Sequence, residues 1–138
     1  MIYEFRFQNF RCYKSEATID FTAKPISEFE KSLIKTKGDV NLLPVCAVYG
    51  PNGGGKSSVL MALQSLRNIV IEPIIQLAYM KKKNERLGET TIVQLQDGVT
   101  DRFITSDFYK WDDESKENPT KYSILFQIEE FKYRYEIS

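Results

Sequence analysis

The sequence predicts an α/β fold, with a mixed sheet, antiparallel strands near the N-terminus and a C-terminal hairpin. Three observations carry this expectation. Residues 45–49 are a short apolar run, followed by Gly50-Pro51-Asn52-Gly53-Gly54-Gly55-Lys56-Ser57 and then by Val59, Leu60, Leu63 and Leu66 at helical spacing. Residues 2–10 alternate, with Tyr3, Phe5 and Phe7 on one side and Glu4, Arg6 and Gln8 on the other. Residues 122–128 and 131–137 flank Glu129-Glu130, as two strands flank a tight turn.

Gly50, Gly55, Lys56 and Ser57 fit the spacing G-x-x-x-x-G-K-[ST] of a phosphate-binding loop. Strand, glycine loop and helix is the arrangement that this chemistry requires. Successive backbone N–H groups curl around a polyanion, and the helix N-terminus adds partial positive charge. Glycine at 50, 53, 54 and 55 lets the backbone approach and permits positive φ. Pro51 has no N–H and shapes the turn. Asn52, Gly53, Gly54 and Gly55 are expected to line the phosphates, with Lys56 reaching the β- and γ-phosphates. Ser57 is the expected Mg²⁺ ligand, and Ser58 a donor to the α-phosphate. The bland alternative is a glycine-rich turn that fits the spacing by accident.

The rest of the chain is read in order. The stretch Asn9-Phe10-Arg11-Cys12-Tyr13-Lys14 should turn the chain, and residues 17–21 should return as a second strand. Residues 26–42 are mixed and polar, a loop with one helical turn. The helix from Lys56 should run to about residue 71, be interrupted by Pro73, and resume over 74–86. Lys81-Lys82-Lys83 fits a solvated face, with a nucleic-acid contact as the sharper alternative. Residues 90–96 suggest an extended segment, Asp97-Gly98 a turn, and 102–111 a further extended, aromatic-rich segment. Residues 112–120 are charged, end in Asn118-Pro119 and read as an exposed loop.

The 138 residues suffice for one domain with a core, and 42% apolar with 13% aromatic residues points to a folded chain. Nineteen basic residues balance nineteen acidic ones, which excludes a uniformly basic nucleic-acid binder while leaving room for a local patch. No histidine is present, so a His-dependent triad is excluded, and Cys12 and Cys46 have no metal-ligand spacing. Cys46, inside the apolar run, is expected to be a small buried residue. No signal peptide is recognised and no apolar run is expected to span a membrane, so a soluble cytoplasmic protein is anticipated.

Two stretches resemble one family. Gly50-Pro51-Asn52-Gly53-Gly54-Gly55-Lys56-Ser57 is similar to the G-P-N-G-x-G-K-S loop of ABC-type and SMC-like ATPases. Phe7-Gln8-Asn9-Phe10-Arg11-Cys12-Tyr13 is similar to the N-F-R-S-F opening of that branch. The closing Phe131-Lys132-Tyr133-Arg134-Tyr135-Glu136-Ile137 resembles a strand in a bacterial AAA/ABC-like group with members in anti-phage and DNA-processing systems. The resemblance implies a P-loop NTPase lobe that binds ATP with Mg²⁺. The nucleotide would lie between two heads of a head-to-tail homodimer, with DNA or an effector nuclease as further partner. It also implies that Arg11 approaches the phosphates, with a solvated turn arginine as the favoured alternative. Tyr13 would lie towards the base or in the core.

Departures from the family pattern are equally plain. Ile124-Leu125-Phe126-Gln127-Ile128-Glu129-Glu130 imitates a Walker B strand, but Gln127 breaks the apolar run and the alternation fits a hairpin. No Ser-Gly-Gly-Gln signature and no switch histidine occur, and no Q-loop residue can be chosen among Gln64, Gln76, Gln94, Gln96 and Gln127. The expectation is therefore that residues 1–138 are the N-terminal part of an ABC-type ATPase domain whose C-terminal half lies elsewhere, and that this part alone is inactive. The competing readings are a stand-alone P-loop nucleotide kinase and a non-catalytic interaction module. A GTPase would need an Asn-Lys-x-Asp base reader, which is absent.

Overall fold

The computed structural model describes residues 1–24, 27–38, 40–87 and 107–138. Four strands form one sheet: β1 Ile2–Gln8, β2 Ala17–Asp20, β3 Lys121–Ile128 and β4 Phe131–Ile137, in the order β2-β1-β3-β4. Every pairing is antiparallel, so the expected mixed sheet is, among the described residues, antiparallel throughout. The reason is local: three of the four strands alternate in sequence, as half-buried antiparallel strands do. The remaining elements are a 3₁₀ segment at Ser27–Ser32, the long helix α1 at Lys56–Leu87 and the one-turn helix α2 at Glu114–Glu117. The chain divides into two units, Met1–Val59 with Asp107–Ser138, and Leu60–Ser106.

The core of the first unit follows from strand register. Phe5 stands opposite Ile19 and Ile124, and Phe7 opposite Ala17 and Tyr122. Tyr3, Phe5, Phe7, Phe10, Leu42 and Tyr122 are buried. Their rings pack as a chain, with centroids 5.6 Å apart for Phe5–Phe7, 6.1 Å for Phe7–Phe10 and 6.1 Å for Phe10–Tyr122. The last two pairs meet edge to face, the arrangement the aromatic quadrupole favours. The opposite face carries charges: Arg6 pairs with Glu4 at 2.7 Å and Glu16 at 3.5 Å, and Arg134 lies 3.5 Å from Glu4. Alternation in β1 thus decides both faces of the sheet.

Asn9 ties the far segment of this unit to the end of β1. Its side-chain amide donates to the carbonyls of Ser115 and Asn118, at 2.8 and 2.7 Å, and its Oδ1 accepts from the Tyr109 N–H at 3.0 Å. Its own carbonyl accepts from the Thr120 hydroxyl at 2.8 Å. Asn9 is buried and sits at φ +53, a conformation asparagine tolerates better than most residues. Residues 112–120, expected as an exposed loop, accordingly contain α2 with Ser115 buried. Asp112 Oδ1 accepts from the Ser115 N–H at 2.8 Å, so an acidic side chain satisfies a donor at the start of that turn.

Several further expectations are corrected. Residues 45–49 form no strand. They are exposed, Val45 to 76% and Tyr49 to 90%. An apolar run becomes a buried strand only beside a neighbouring strand, and among the described residues none lies beside it. Cys46, expected to be buried, is exposed for the same reason. Pro73 does not interrupt α1, which continues to Leu87. Proline removes one helical N–H, and the helix formers on both sides carry the element through it. The Lys56–Ile75 part of α1 is, by its 20 residues and composition, long and apolar enough to cross a membrane, contrary to expectation. Only Arg67 and Glu72 carry charge between Ser57 and Ile75. A mostly buried core helix of a soluble protein meets the same criterion, and 17% of this stretch is buried.

Other expectations hold. The helical element expected within 26–42 is the six-residue 3₁₀ segment Ser27–Ser32, and Leu42 forms isolated bridges with Thr22 and Ile34. The C-terminal hairpin turns at Glu129-Glu130, with Ile128 opposite Phe131 and Glu129 at φ +54. The segment expected over 90–96, the turn at 97–98 and residues 102–106 lie outside the described residues, as do the side chains of Lys81, Lys82 and Lys83.

Candidate functional site

The glycine loop leads directly into α1, whose first residue is Lys56. Gly53 and Gly55 have φ of +80 and +82, the left-handed region that glycine enters without steric cost. A Cβ on Gly53 would meet nothing within 4 Å, so here the glycine serves backbone conformation. Hydrogen bonds close the loop: the Gly54 N–H donates to the Pro51 carbonyl at 3.1 Å, and the Ser58 N–H to the Gly55 carbonyl at 3.0 Å. Pro51 therefore contributes a carbonyl to the turn and no donor, as its chemistry requires.

Lys56 folds back over the loop. Its ammonium donates to the Gly50 carbonyl at 2.8 Å and to the Pro51 carbonyl at 2.7 Å. The cation is thus held over the glycine turn by two carbonyl dipoles. The first turn of α1 contains no acidic residue, so nothing there opposes an anion at the helix's positive end. Asn52, Gly53, Gly54 and Ser57 are exposed, and Ser58 is half-buried. The residues suit a phosphate chain by three features. Glycine leaves the backbone approachable, the helix begins at the loop with no acid in its first turn, and a lysine is already at the loop. Ser57, in the first turn of the helix, is exposed beside the loop.

The turn after β1 completes this region. Phe10 and Tyr13 exchange backbone hydrogen bonds at 2.9 and 2.8 Å, with Arg11 at φ +52 between them. A two-residue turn with a positive-φ residue at its first corner follows the right-handed twist of a hairpin. Tyr13 packs on Phe7 with ring centroids 5.0 Å apart, and its hydroxyl donates to the Gly55 carbonyl at 3.5 Å. Cys12 Sγ lies 3.4 Å from Ser58 Oγ. Burial raises the Tyr13 phenol above its ordinary pKa, with Cys12 adding to the effect. The phenol stays protonated and remains a donor.

Arg11 is placed differently from the other expected residues. Its backbone N–H donates to the Asp107 carbonyl at 2.6 Å, its guanidinium Nη2 lies 3.4 Å from Asp107 Oδ2, and it sits over the Phe10 ring at 5.8 Å. The structure thus brings together Gly50–Ser58 and Cys12 with Tyr13, and engages Arg11 with Asp107. Sequence reasoning did not find the contact of Cys12 with the loop. The signal available was its place in the Asn9–Lys14 turn, since a residue next to a turn against the loop must itself approach the loop. Compared with known proteins, the chain matches no protein-family model, no curated protein and no solved structure.

Proposed function

We propose that residues 50–58 are the Walker A loop of an ATP-binding lobe of the ABC/SMC-like type. The observation that carries this reading is the Lys56 ammonium held at the Gly50 and Pro51 carbonyls, over a loop with two positive-φ glycines and at the start of a helix with no acid in its first turn. On nucleotide binding, Lys56 exchanges those carbonyls for the β- and γ-phosphates. The N–H groups of Gly53, Gly54, Gly55 and Lys56 turn to phosphate oxygens, and Ser58 donates to the α-phosphate. Mg²⁺, when bound beside the Ser57 hydroxyl, neutralises phosphate charge. Arg11 belongs to this site through the turn it shares with Cys12 and Tyr13. Coupling to DNA processing or phage defence rests on the resemblance of residues 7–13, 50–57 and 131–137. On that reading the catalytic acid and the signature motif come from a C-terminal half and from a second head, and the protein works in the cytoplasm.

A specific observation favours one other reading. Val45, Val48 and Tyr49 are exposed immediately before the loop, which suits a non-catalytic interaction module. Binding separates the two readings. Titration with a fluorescent ATP analogue and Mg²⁺ is expected to show binding by the wild type. Lys56→Ala is expected to lose about 1.5–3 kcal/mol of it, the range for a charge-assisted contact. Equal affinities, or no binding by the wild type, would leave the module as the reading.

A further inference from the structure

The outer edge of β4 is accounted for by neither the loop nor the hairpin. In the order β2-β1-β3-β4, β4 has β3 on one side and, among the described residues, no strand on the other. Its residues are exposed from Phe131 to Glu136, with Phe131 at 65%. The sequence alternates strictly: Phe131, Tyr133, Tyr135 and Ile137 with Lys132, Arg134 and Glu136 between them. We propose that β4 pairs antiparallel with β4 of a second copy of this chain, about a two-fold axis at Arg134, joining the two sheets into one.

The geometry of the hairpin supplies the donors. Ile128 and Phe131 close a two-residue turn, so Phe131 bonds towards β3. Alternation then turns the N–H and C=O groups of Lys132, Arg134 and Glu136 to the open side. About an axis at Arg134, these three meet the same three of the partner copy. Lys132 falls opposite Glu136 twice, Tyr133 opposite Tyr135 twice, and Phe131 opposite Ile137 twice. Each is a favourable cross-strand pair, and all seven residues are used.

Charge and strand overlap together favour this register. Centring the axis on Tyr133 sets Lys132 against Arg134, two like charges. Centring it on Tyr135 sets Arg134 against Glu136 but leaves Phe131 unopposed and Lys132 opposite Ser138, beyond the end of β4. In the Arg134 register the remaining conflict is Arg134 against its own copy. Each guanidinium already has its own acids, Glu4 Oε1 at 3.5 Å and Glu136 Oε1 at 3.9 Å. Lys132 has no carboxylate partner among the described residues and rests over the Tyr3 ring at 4.4 Å, leaving its charge available across the edge. Charges on an edge strand ordinarily discourage pairing. Here Lys132 and Glu136 stand at equal distances on either side of Arg134 with opposite signs, so a two-fold copy sets each against its opposite charge.

The test is sedimentation equilibrium of the 138-residue chain without nucleotide, over a wide concentration range. A monomer–dimer equilibrium is expected. Lys132→Glu and Glu136→Lys should each weaken the dimer about tenfold or more, since two symmetric pairs become like-charged. The double variant carrying both substitutions restores the opposite-charge pairs and should recover wild-type association. In a Cys12→Ser, Cys46→Ser background, Arg134→Cys should form a disulfide-linked dimer on mild oxidation, because paired Cα atoms there lie within bridging distance. A monomer at every concentration would overturn the proposal. So would a dimer indifferent to the single reversals, or one that forms only with ATP.

Discussion

Gly55 lies against Cys12: a Cβ on Gly55 would stand 2.8 Å from the Cys12 sulfur, and 3.1 Å from Cε2 of Tyr13. The turn that ends β1 is therefore packed onto the glycine loop, and the absence of a side chain at 55 makes the contact possible. Two stretches that are remote in sequence, residues 10–13 and 50–58, meet at this point. Gly55 has two separate reasons to be glycine, the close neighbour and its φ of +82.

Gly55→Ala is expected to lower stability by about 1–3 kcal/mol, from left-handed strain plus displacement of Cys12 and Tyr13. It should also lower affinity for the ATP analogue. Adding Cys12→Ala removes the nearest atom but leaves the backbone strain, so it should return part of the loss. Thermal melting of the single and double variants checks this. Full recovery would assign the effect to the Cys12 contact alone, and no recovery would assign it to φ and the remaining Tyr13 contact.

How far the sequence was readable follows from which forces are local. The alternation of β1 and the Ile128–Phe131 turn were legible because period two and a two-residue gap are local signals. The glycine loop was legible because its residue types are dictated by its conformation. Residues 45–49 were not, because an apolar run becomes a strand only through neighbours that the run does not itself encode. Pro73 misled because proline preference is a local cost that a long helix outweighs. The ties of Asn9 to Ser115, Asn118 and Tyr109 and the seat of Cys12 on Gly55 are tertiary, and a single asparagine or cysteine carries no pattern that announces them.

Arg11→Ala separates a structural from a nucleotide role. Losing the guanidinium near Asp107 should lower the melting temperature modestly, since the pair is 3.4 Å apart and partly exposed. If Arg11 also serves nucleotide, the melting shift produced by saturating Mg·ATP should shrink as well. A lower melting temperature with an unchanged ATP-induced shift would confine Arg11 to holding Asp107 and the turn.

Acid should loosen the segment around α2. The Lys14 ammonium, 2.5 Å away, is the first cause that holds Asp112 down to about 2, and the Ser115 hydroxyl and N–H are the next. A carboxyl with a depressed folded-state pKa binds more protons when unfolded, so its stabilisation is full above the ordinary carboxylate value. It fades as pH falls towards about 2. Lys14 is raised by the same partner and stays charged throughout this range. Urea unfolding at pH 5 and at pH 2.5 should show a smaller acid loss for Asp112→Asn than for wild type. Equal losses would place the acid sensitivity in other carboxylates.

Glu129-Glu130 is the one acidic pair that follows a Walker B-like run, and its position decides whether this chain can complete an ATPase reaction alone. Phosphoryl transfer needs more than positioned phosphates, because an acid or polar group must orient the attacking water. Ile128 and Phe131 pair directly, so the two glutamates are the corner of a hairpin, and Glu130 is already paired with Lys37. Glu129 is at φ +54, where a residue turns the chain rather than continuing a strand towards a nucleotide. With no other such run among residues 1–138, the expected behaviour is binding of Mg·ATP with negligible turnover. Phosphate release at saturating Mg·ATP, for wild type and for Glu129→Gln with Glu130→Gln, makes the comparison. Both should sit at background, and the double variant should keep its affinity for the ATP analogue. Robust turnover that the two substitutions abolish would make this pair catalytic and would show that hydrolysis needs no second half.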